Sequence, residues 1–243
     1  MELNSKVAVV TGAAHRVGKA VALALAQAGA HVVVHYHRSA QHIPATVDAI
    51  QALGVHAVAV QANLVDPAGV ETLFAAAEAA FGGVDVLVNS AANMEPGDVL
   101  TLTRADWQRS LDLNLTAPFF CAQRAAPTML ARGGGAMVNI ADLAGLRPWA
   151  RYPAHSVSKA GLIMATQVLA KALAPHIRVN AIAPGPVIKP EEWGDEHWHK
   201  LGQRTLLKRT GSGYDVARAA IFLLEADFIT GETLVVDGGR HIA

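Results

Sequence analysis

The chain has 243 residues, of which 52% are hydrophobic and 16% charged, and its formal net charge is +0. This length is ample for one α/β domain and short for two, and so apolar a composition suits a large core. The neutral charge balance gives no reason to expect nucleic acid or an anionic membrane as a partner. The single cysteine, Cys121, excludes an intrachain disulfide framework and fits a reducing compartment.

Neither a signal peptide nor a membrane-spanning segment is predicted. The short apolar run after Lys6 leads within a few residues into a Thr-Gly turn, which is too little for a secretory signal. The longest apolar helical pattern, residues 160–174, is interrupted by Gln167 and Lys171, and it is too short and too polar to cross a bilayer. We therefore expect a cytoplasmic protein.

Apolar strand-like runs alternate with alanine-rich helical patterns along the chain. The predicted strands are 7–10, 31–35, 56–61, 84–89, 136–140, 177–182 and 233–236. The predicted helices are 18–28, 45–53, 68–81, 104–131, 156–173 and 214–224. The strands are apolar throughout rather than alternating, as expected where helices cover both faces of a sheet. The pattern predicts an α/β fold, one domain over residues 1–243 with a doubly wound parallel sheet of about seven strands.

One segment departs from this alternation. Residues 184–213 are rich in Pro, Gly, Trp and charge, and they follow the sixth predicted strand. In open α/β sheets such a loop lies where ligands bind, so we expect a substrate lid with short helices at about 186–213. The alternative is a surface excursion that is used in subunit packing.

The turn after the first strand has the composition of a phosphate-binding turn. Gly12 and Gly18 allow a tight turn and a close approach of the backbone, and the helix that begins there offers free N–H groups to a pyrophosphate. His15, Arg16 and Val17 complete the predicted contact, and Arg16 adds a fixed positive charge beside the anion site. A Gly-rich turn alone is a weak signal, but its place between strand and helix strengthens it.

The end of the second strand indicates which cofactor is preferred. Sites that prefer NAD carry an acidic residue there, which binds the ribose 2′-hydroxyl. This chain instead has His37, Arg38 and Ser39, which suit a 2′-phosphate. We therefore expect NADP(H) as the cofactor, and we expect no metal.

Three residues mark a predicted reaction centre. Asp142 ends the fifth strand, while His155 and Lys159 lie four residues apart and so share one face of the helix that follows. A strand end and a helix face would thus direct a carboxylate, an imidazole and an ammonium group to one place. Proton transfer chemistry uses such groups.

These motifs resemble the short-chain dehydrogenases/reductases, which have a Rossmann fold and pair a Tyr-x-x-x-Lys motif with an earlier Ser. Lys159 matches the family Lys, whereas Asp142 stands at the Ser position and His155 at the Tyr position. The turn Thr-Gly-x-x-x-Arg-x-Gly, with Arg16, and the Asp at the Ser position are similar to the pteridine reductases. The resemblance implies a reductase of a pterin- or folate-like small molecule and a homotetramer.

Further landmarks of the family follow in order along the chain. The resemblance implies cofactor contacts at Asn63, Leu64, Asn89, Ser90, Ala91, Lys159, Pro184 and Gly185, and a role for Asn114 in steadying the catalytic Lys. It also places the substrate against Arg16, Ser90 and Asp142, and we add Trp193 of the lid. Trp149 and Tyr152 are expected beside Trp193 at the mouth of the site.

His155 leaves two interpretations open. An imidazole can replace the tyrosine as an altered or weaker acid, since it titrates near neutrality. Alternatively, the site has lost its chemistry and still binds NADPH, so that the protein is a sensor or a partner subunit. A second enzyme hypothesis is reduction of a carbonyl such as a ketoacyl thioester, although that chemistry usually keeps Gly and Ser where this chain has Arg16 and Asp142.

Overall fold

The structure, a computed structural model, describes residues 1–190 and 193–243. Its strands are β1 (Val7–Val10), β2 (His31–Tyr36), β3 (Ala57–Gln61), β4 (Val86–Asn89), β5 (Gly135–Ile140), β6 (Ile177–Pro184) and β7 (Thr233–Val236). Its α-helices are α1 (Arg16–Gln27), α2 (Ile43–Gln51), α3 (Pro67–Phe81), α4 (Arg104–Leu111), α5 (Ala117–Ala131), α6 (Pro153–Leu173), α7 (Asp195–Gln203) and α8 (Gly213–Glu225). The strands fall where the sequence predicts them, within two residues at each end.

The seven strands form a single sheet in the order β3-β2-β1-β4-β5-β6-β7, and every neighbouring pair is parallel. Helices cover both faces, so the predicted doubly wound Rossmann fold is confirmed. The strand order reverses between β1 and β4, and such a reversal opens a crevice at the carboxyl ends of the strands. No helix in the described ranges is long and apolar enough to cross a membrane.

The predicted helix 104–131 is helical throughout, but it contains a wider turn that the sequence does not predict. The structure divides it into α4, a five-residue π-helical turn at Asp112–Thr116, and α5. Every residue of the turn is compatible with an α-helix, so the sequence carries no local signal for the wider turn. Such π turns are rare and are frequent at functional sites, and this one carries Asn114.

Two further elements bear on the site. Helix α6 begins at Pro153, three residues before the prediction, because proline is well tolerated in the first turn of a helix. The predicted lid, 186–213, contains helix α7, and residues 191–192 of it lie outside the described residues.

Each face of the sheet has its own hydrophobic core. On one face α1 and α8 pack on alternate strand residues, with Leu25 and Leu223 fully buried. On the other face α3, α5 and the end of α6 cover the remaining strand residues, with Phe74 and Met129 fully buried. Both faces being covered explains why the strands are apolar throughout.

A matched pair of phenylalanines tests this assignment of the core. Phe74 is 0% exposed and Phe228 is 99% exposed. We expect Phe74→Ala to lower the free energy of unfolding by about 3–5 kcal/mol, because it leaves a cavity under α3. Phe228→Ala should change it by no more than about 0.5 kcal/mol. Chemical denaturation of both variants measures the difference, and equal effects would contradict the assignment.

Candidate active site

The crevice at the strand reversal is held together by one side chain. The hydroxyl of Thr11, directly after β1, accepts hydrogen bonds from the backbone N–H groups of Ser90 (2.9 Å) and Ala91 (3.1 Å), directly after β4. The two strand ends on either side of the reversal are thereby fixed to each other. The predicted cofactor residues Ser90 and Ala91 are half-buried at this edge.

The turn between β1 and α1 leaves room only for glycine at its two key positions. Gly12 has φ +65°, and a Cβ there would lie 2.9 Å from Cα of Ala91. A Cβ on Gly18 would lie 2.2 Å from the carbonyl oxygen of Gly12. The turn therefore packs tightly on β4 and on its own helix, and α1 presents its N-terminus to the crevice. This is the cradle that a pyrophosphate requires.

A buried histidine, His35, braces the same turn from β2. Its Nδ1 accepts the N–H of Gly12 at 3.1 Å, so the ring proton lies on Nε2, which donates to the carbonyl oxygen of Ala62 at 3.1 Å. Burial lowers the pKa of His35 to about 4, and the Ala62 bond only partly opposes this. The imidazole is therefore neutral near pH 7 and can act as an acceptor. This role could not be predicted from the sequence, since a histidine at a strand end carries no signal of it.

Arg16 occupies a strained position at the start of α1. Its φ is +55°, in the left-handed region where the family usually has glycine. For a residue with a Cβ this conformation costs roughly 1–2 kcal/mol, and such strain is found mainly at functional sites. The side chain is exposed at the crevice. Beside it His15 is the N-cap of α1, with its ring stacked on His42 at 5.2 Å, and Val17 is half-buried.

The end of β2 presents the three residues predicted to select the phosphorylated cofactor. His37 and Arg38 are exposed and Ser39 is half-buried, at the edge beside the phosphate turn. Asn63, after the neighbouring β3, is exposed, and Leu64 is buried. An NADP-type dinucleotide fits this donor set, because a glycine cradle, a helix N-terminus and an arginine lie along one edge of the sheet.

Lys159 lies at the centre of the reaction site and is buried, with 3% exposure. Its Nζ donates to the carbonyl oxygen of Ile140, the last residue of β5, at 2.7 Å. Burial lowers the Lys159 pKa to about 8, while the nearby carboxylate of Asp142 acts in the opposite direction. The amine is thus charged at neutral pH and titrates within an accessible range.

His155, one turn before Lys159, is also 3% exposed. Its Nδ1 lies 2.9 Å from the carbonyl oxygen of Asn93, which can only accept, so Nδ1 carries a proton. Its Nε2 faces Oδ2 of Asp142 at 3.7 Å. Nε2 is enclosed and has no hydrogen-bond partner in the part of the chain that the structure describes. The ring is therefore oriented from one side, and its second nitrogen is directed at the carboxylate.

Asp142 is the member of the trio that solvent can reach. Its side chain is 23% exposed, and its Oδ1 accepts the N–H of Ala144 at 2.7 Å, which holds the carboxylate at the start of a short 3-10 turn. That turn packs closely on α6, since a Cβ on Gly145 would lie 2.7 Å from the carbonyl carbon of Lys159. The contact fixes Asp142 relative to the helix that carries the other two residues.

Asn114 joins the π-helical turn to the reaction centre. It is completely buried, and its Oδ1 accepts the N–H of Asn93 at 2.9 Å. Its Nδ2 lies 3.1 Å from the hydroxyl of Ser158 and 3.4 Å from Nδ1 of His155. Asn114 thus holds the Asn93 segment that orients His155. Asn93 acts through its backbone carbonyl, and therefore no side-chain signal in the sequence could have identified it.

Other predicted site residues have different surroundings. Asn89 is buried, and its Nδ2 donates to Oδ1 of Asn139 at 2.9 Å, so its side chain braces β4 against β5. Pro184 ends β6, and Gly185 packs on Asp237, where a Cβ would lie 2.6 Å from that residue's Cβ. The roles of Asn89, Pro184 and Gly185 towards the cofactor stay predictions.

The aromatic residues expected at the mouth of the site form two groups. Trp149 and Tyr152 contact each other edge to face, with ring centroids 6.2 Å apart. Trp193 contacts His197 and Trp198 of helix α7, with ring centroids 4.6 and 6.5 Å apart. Tyr152 immediately precedes α6 and stands three residues before His155.

Comparisons with known proteins agree with this architecture. A family model described as "Enoyl-(Acyl carrier protein) reductase" matches residues 12–241. The chain is 39% identical over 241 residues to a 3-oxoacyl-(acyl-carrier-protein) reductase of Synechocystis, covering 98% of this chain and 97% of the relative. It is 34% identical over 243 residues to the 3-oxoacyl-(acyl-carrier-protein) reductase FabG of Staphylococcus aureus, covering 98% and 99%.

Solved structures give the same result. A putative short-chain alcohol dehydrogenase of Sinorhizobium meliloti superimposes with a TM-score of 0.93 at 34% identity, over 100% of both chains. The acetoin dehydrogenase YohF of Salmonella typhimurium superimposes with a TM-score of 0.90 at 31% identity, over 98% of this chain and 97% of that one. The chain therefore belongs to the short-chain dehydrogenase/reductase family of NAD(P)-dependent oxidoreductases.

Proposed function

We propose that the protein uses NADPH to reduce a carbonyl substrate, and that Asp142 delivers a proton that His155 supplies. The observation that carries this proposal is the orientation of His155, whose Nε2 is enclosed and directed at Oδ2 of Asp142 at 3.7 Å. A substrate oxygen can reach the partly exposed carboxylate but not the imidazole behind it. Relatives named for 3-oxoacyl reduction and for acetoin, which are carbonyl chemistries, support this substrate class.

Within this proposal the nicotinamide, when bound, supplies a hydride to the carbonyl carbon. The developing charge on the carbonyl oxygen needs one proton: with the imidazole protonated, the proton on Nε2 passes to Oδ2 of the Asp142 carboxylate, and the carboxyl group so formed transfers it to the alkoxide. His155 is left neutral and still bonded to Asn93 through Nδ1. The 3.7 Å separation is longer than a hydrogen bond, and such distances shorten in substrate complexes. Lys159 holds the positive charge that favours the developing alkoxide.

A pterin-like substrate is the second candidate. Arg16 at a strained φ of +55° and a carboxyl group at position 142 are the features that favour it, because a carboxyl can pass a proton to a ring nitrogen. The motifs alone favour a pterin over a carbonyl substrate. We prefer the carbonyl substrate because the relatives are named for carbonyl chemistry. An assay of NADPH oxidation with acetoin-like ketones, 3-oxoacyl thioesters and dihydrobiopterin separates the two. Tight NADPH binding without turnover of any of them would favour a binding protein.

If the proton passes from His155 through Asp142, both side chains are needed for turnover. We expect His155→Gln and Asp142→Asn each to lower kcat by about 10²–10⁴-fold, the usual contribution of a positioned proton donor. The double variant should be little worse than either single one, since the two residues act as one unit. Steady-state kinetics with a carbonyl substrate provide the measurement.

His176→Gln, a change of the same type at an exposed histidine, is the matched control and should leave kcat unaltered. His155→Tyr restores the donor that the family usually has. If this variant turns over faster than the natural chain, the imidazole is an inferior donor and the relay is refuted. A fall in turnover supports it.

The lowered pKa of Lys159 predicts how kcat/KM falls at alkaline pH. Because the pKa of the buried amine is lowered to about 8, its positive charge is present below that pH and lost above it. We expect kcat/KM, which reports the free enzyme, to fall as the pH rises through about 8. In Lys159→Arg the guanidinium stays charged, so the inflection near pH 8 should disappear although the rate is lower. An inflection that stays near pH 8 in Lys159→Arg would contradict the assignment to Lys159.

The position of Arg38 predicts a preference for NADPH over NADH. We expect Arg38→Leu to raise KM for NADPH by about 10–100-fold, the effect of losing a charge-assisted hydrogen bond of roughly 1.5–3 kcal/mol, with little change for NADH. Arg104→Leu, at an exposed arginine of α4, should alter neither value. Equal losses for both cofactors would show that Arg38 does not contact a 2′-phosphate.

A further inference from the structure

Three arginines from distant parts of the chain line one cavity of about 310 Å³. Arg147 follows the turn after β5, Arg204 follows α7, and Arg240 begins the 3-10 turn after β7. This volume is at the lower end of the range for small-molecule sites. The neighbouring Leu143 also lines it, and Leu143 directly follows Asp142. The residue next to Asp142 in the chain therefore belongs to the lining of the cavity.

The positive charge of this cavity is not neutralised by the protein. Within the described ranges none of the three arginines forms an ion pair within 4 Å. Asp237, an acidic side chain that acts on Arg240, already accepts three hydrogen bonds: from the N–H of Gly239 at 2.8 Å, and from the N–H and Nδ1 of His241 at 2.7 and 2.8 Å. Ala243 also lines the cavity and carries no charged side chain.

The arginines are held close enough to repel one another. Burial lowers the pKa of Arg240, and the charges of Arg204 and Arg147 lower it further, against Asp237. Nη1 of Arg240 is buried without a hydrogen-bond partner in the described part of the molecule. Arg147 is fixed by donating to the carbonyl oxygen of His241 at 2.7 Å. A guanidinium cannot lose its proton to relieve this repulsion, and a bound anion would offset it through charge-assisted hydrogen bonds.

We infer that this cavity binds the anionic group, a carboxylate or a phosphate, of the substrate whose carbonyl reacts at Asp142. The inference rests on the proposed function and names its substrate class, an anionic carbonyl compound. Guanidinium groups form forked, bidentate contacts with these oxyanions. Because Arg204 follows the lid helix α7 and Arg240 follows β7, an anion held between them would also fix the lid over the site.

Calorimetric titration with inorganic phosphate tests the cavity directly. The protein is first saturated with NADP⁺, so that the phosphate sites of the cofactor are filled, and ionic strength is held constant because salt screens such binding. We expect phosphate to bind, and Arg204→Leu and Arg240→Leu each to weaken it by about tenfold or more. Arg104→Leu, the matched surface control, should bind phosphate as the natural chain does. No binding, or equal binding by all four proteins, would overturn the inference.

A kinetic experiment tests whether the cavity binds the substrate's anionic group. An oxo acid and its methyl ester differ in charge and by one methyl group, and we expect kcat/KM to favour the acid by at least about tenfold, a preference that Arg204→Leu removes. An ester reduced as well as the acid would contradict the inference. Arg204 is exposed, so its substitution should not impair folding. If NADP⁺ binds and neither compound is reduced, the proposed function fails, and the phosphate titration still decides whether the cavity is an anion site.

Discussion

The reversal of strand order between β1 and β4 is the constraint on which the rest of this molecule depends. Parallel strands that diverge leave a crevice, and its walls must be held at a fixed separation if a long dinucleotide is to lie across it. Here the hydroxyl of Thr11 joins the two diverging strand ends, and His35 joins the phosphate turn to β2. Both are buried polar groups with their hydrogen bonds satisfied, which makes the crevice rigid.

Much of this architecture could be predicted from the sequence, because the strands are apolar runs and the glycines of the turn stand between a strand and a helix. The trio of Asp142, His155 and Lys159 could also be located, since helical spacing and a strand end bring these residues together. What could not be predicted depends on contacts between distant segments. The π-helical turn around Asn114 is built from residues that suit an α-helix, and the tautomer of His35 depends on bonds to Gly12 and Ala62.

The cavity lined by three arginines also depends on contacts between distant segments, and it could not be predicted from the sequence. Arg147, Arg204 and Arg240 are each an ordinary surface residue in the sequence, in segments far apart along the chain. Only the parallel sheet, which brings the carboxyl ends of β5, β6 and β7 to one edge, places them together. Their mutual repulsion lowers stability unless something offsets it, and the accumulation of like charge at one edge is therefore a stronger indication of a ligand than any single residue.

In the predicted reaction centre, a histidine at position 155 changes what is required of the side chain at position 142. A tyrosine at position 155 would extend further into the crevice than an imidazole, so the shorter ring leaves its free nitrogen enclosed behind the carboxylate. A serine at position 142 could orient a substrate oxygen, but its neutral hydroxyl is a much weaker base than a carboxylate towards the proton of His155. In the proposed relay the aspartate is the residue that gives the histidine at position 155 a chemical role, and the contact of Gly145 with α6 keeps the two groups facing each other. The two departures from the family pattern are therefore best understood as one coupled change.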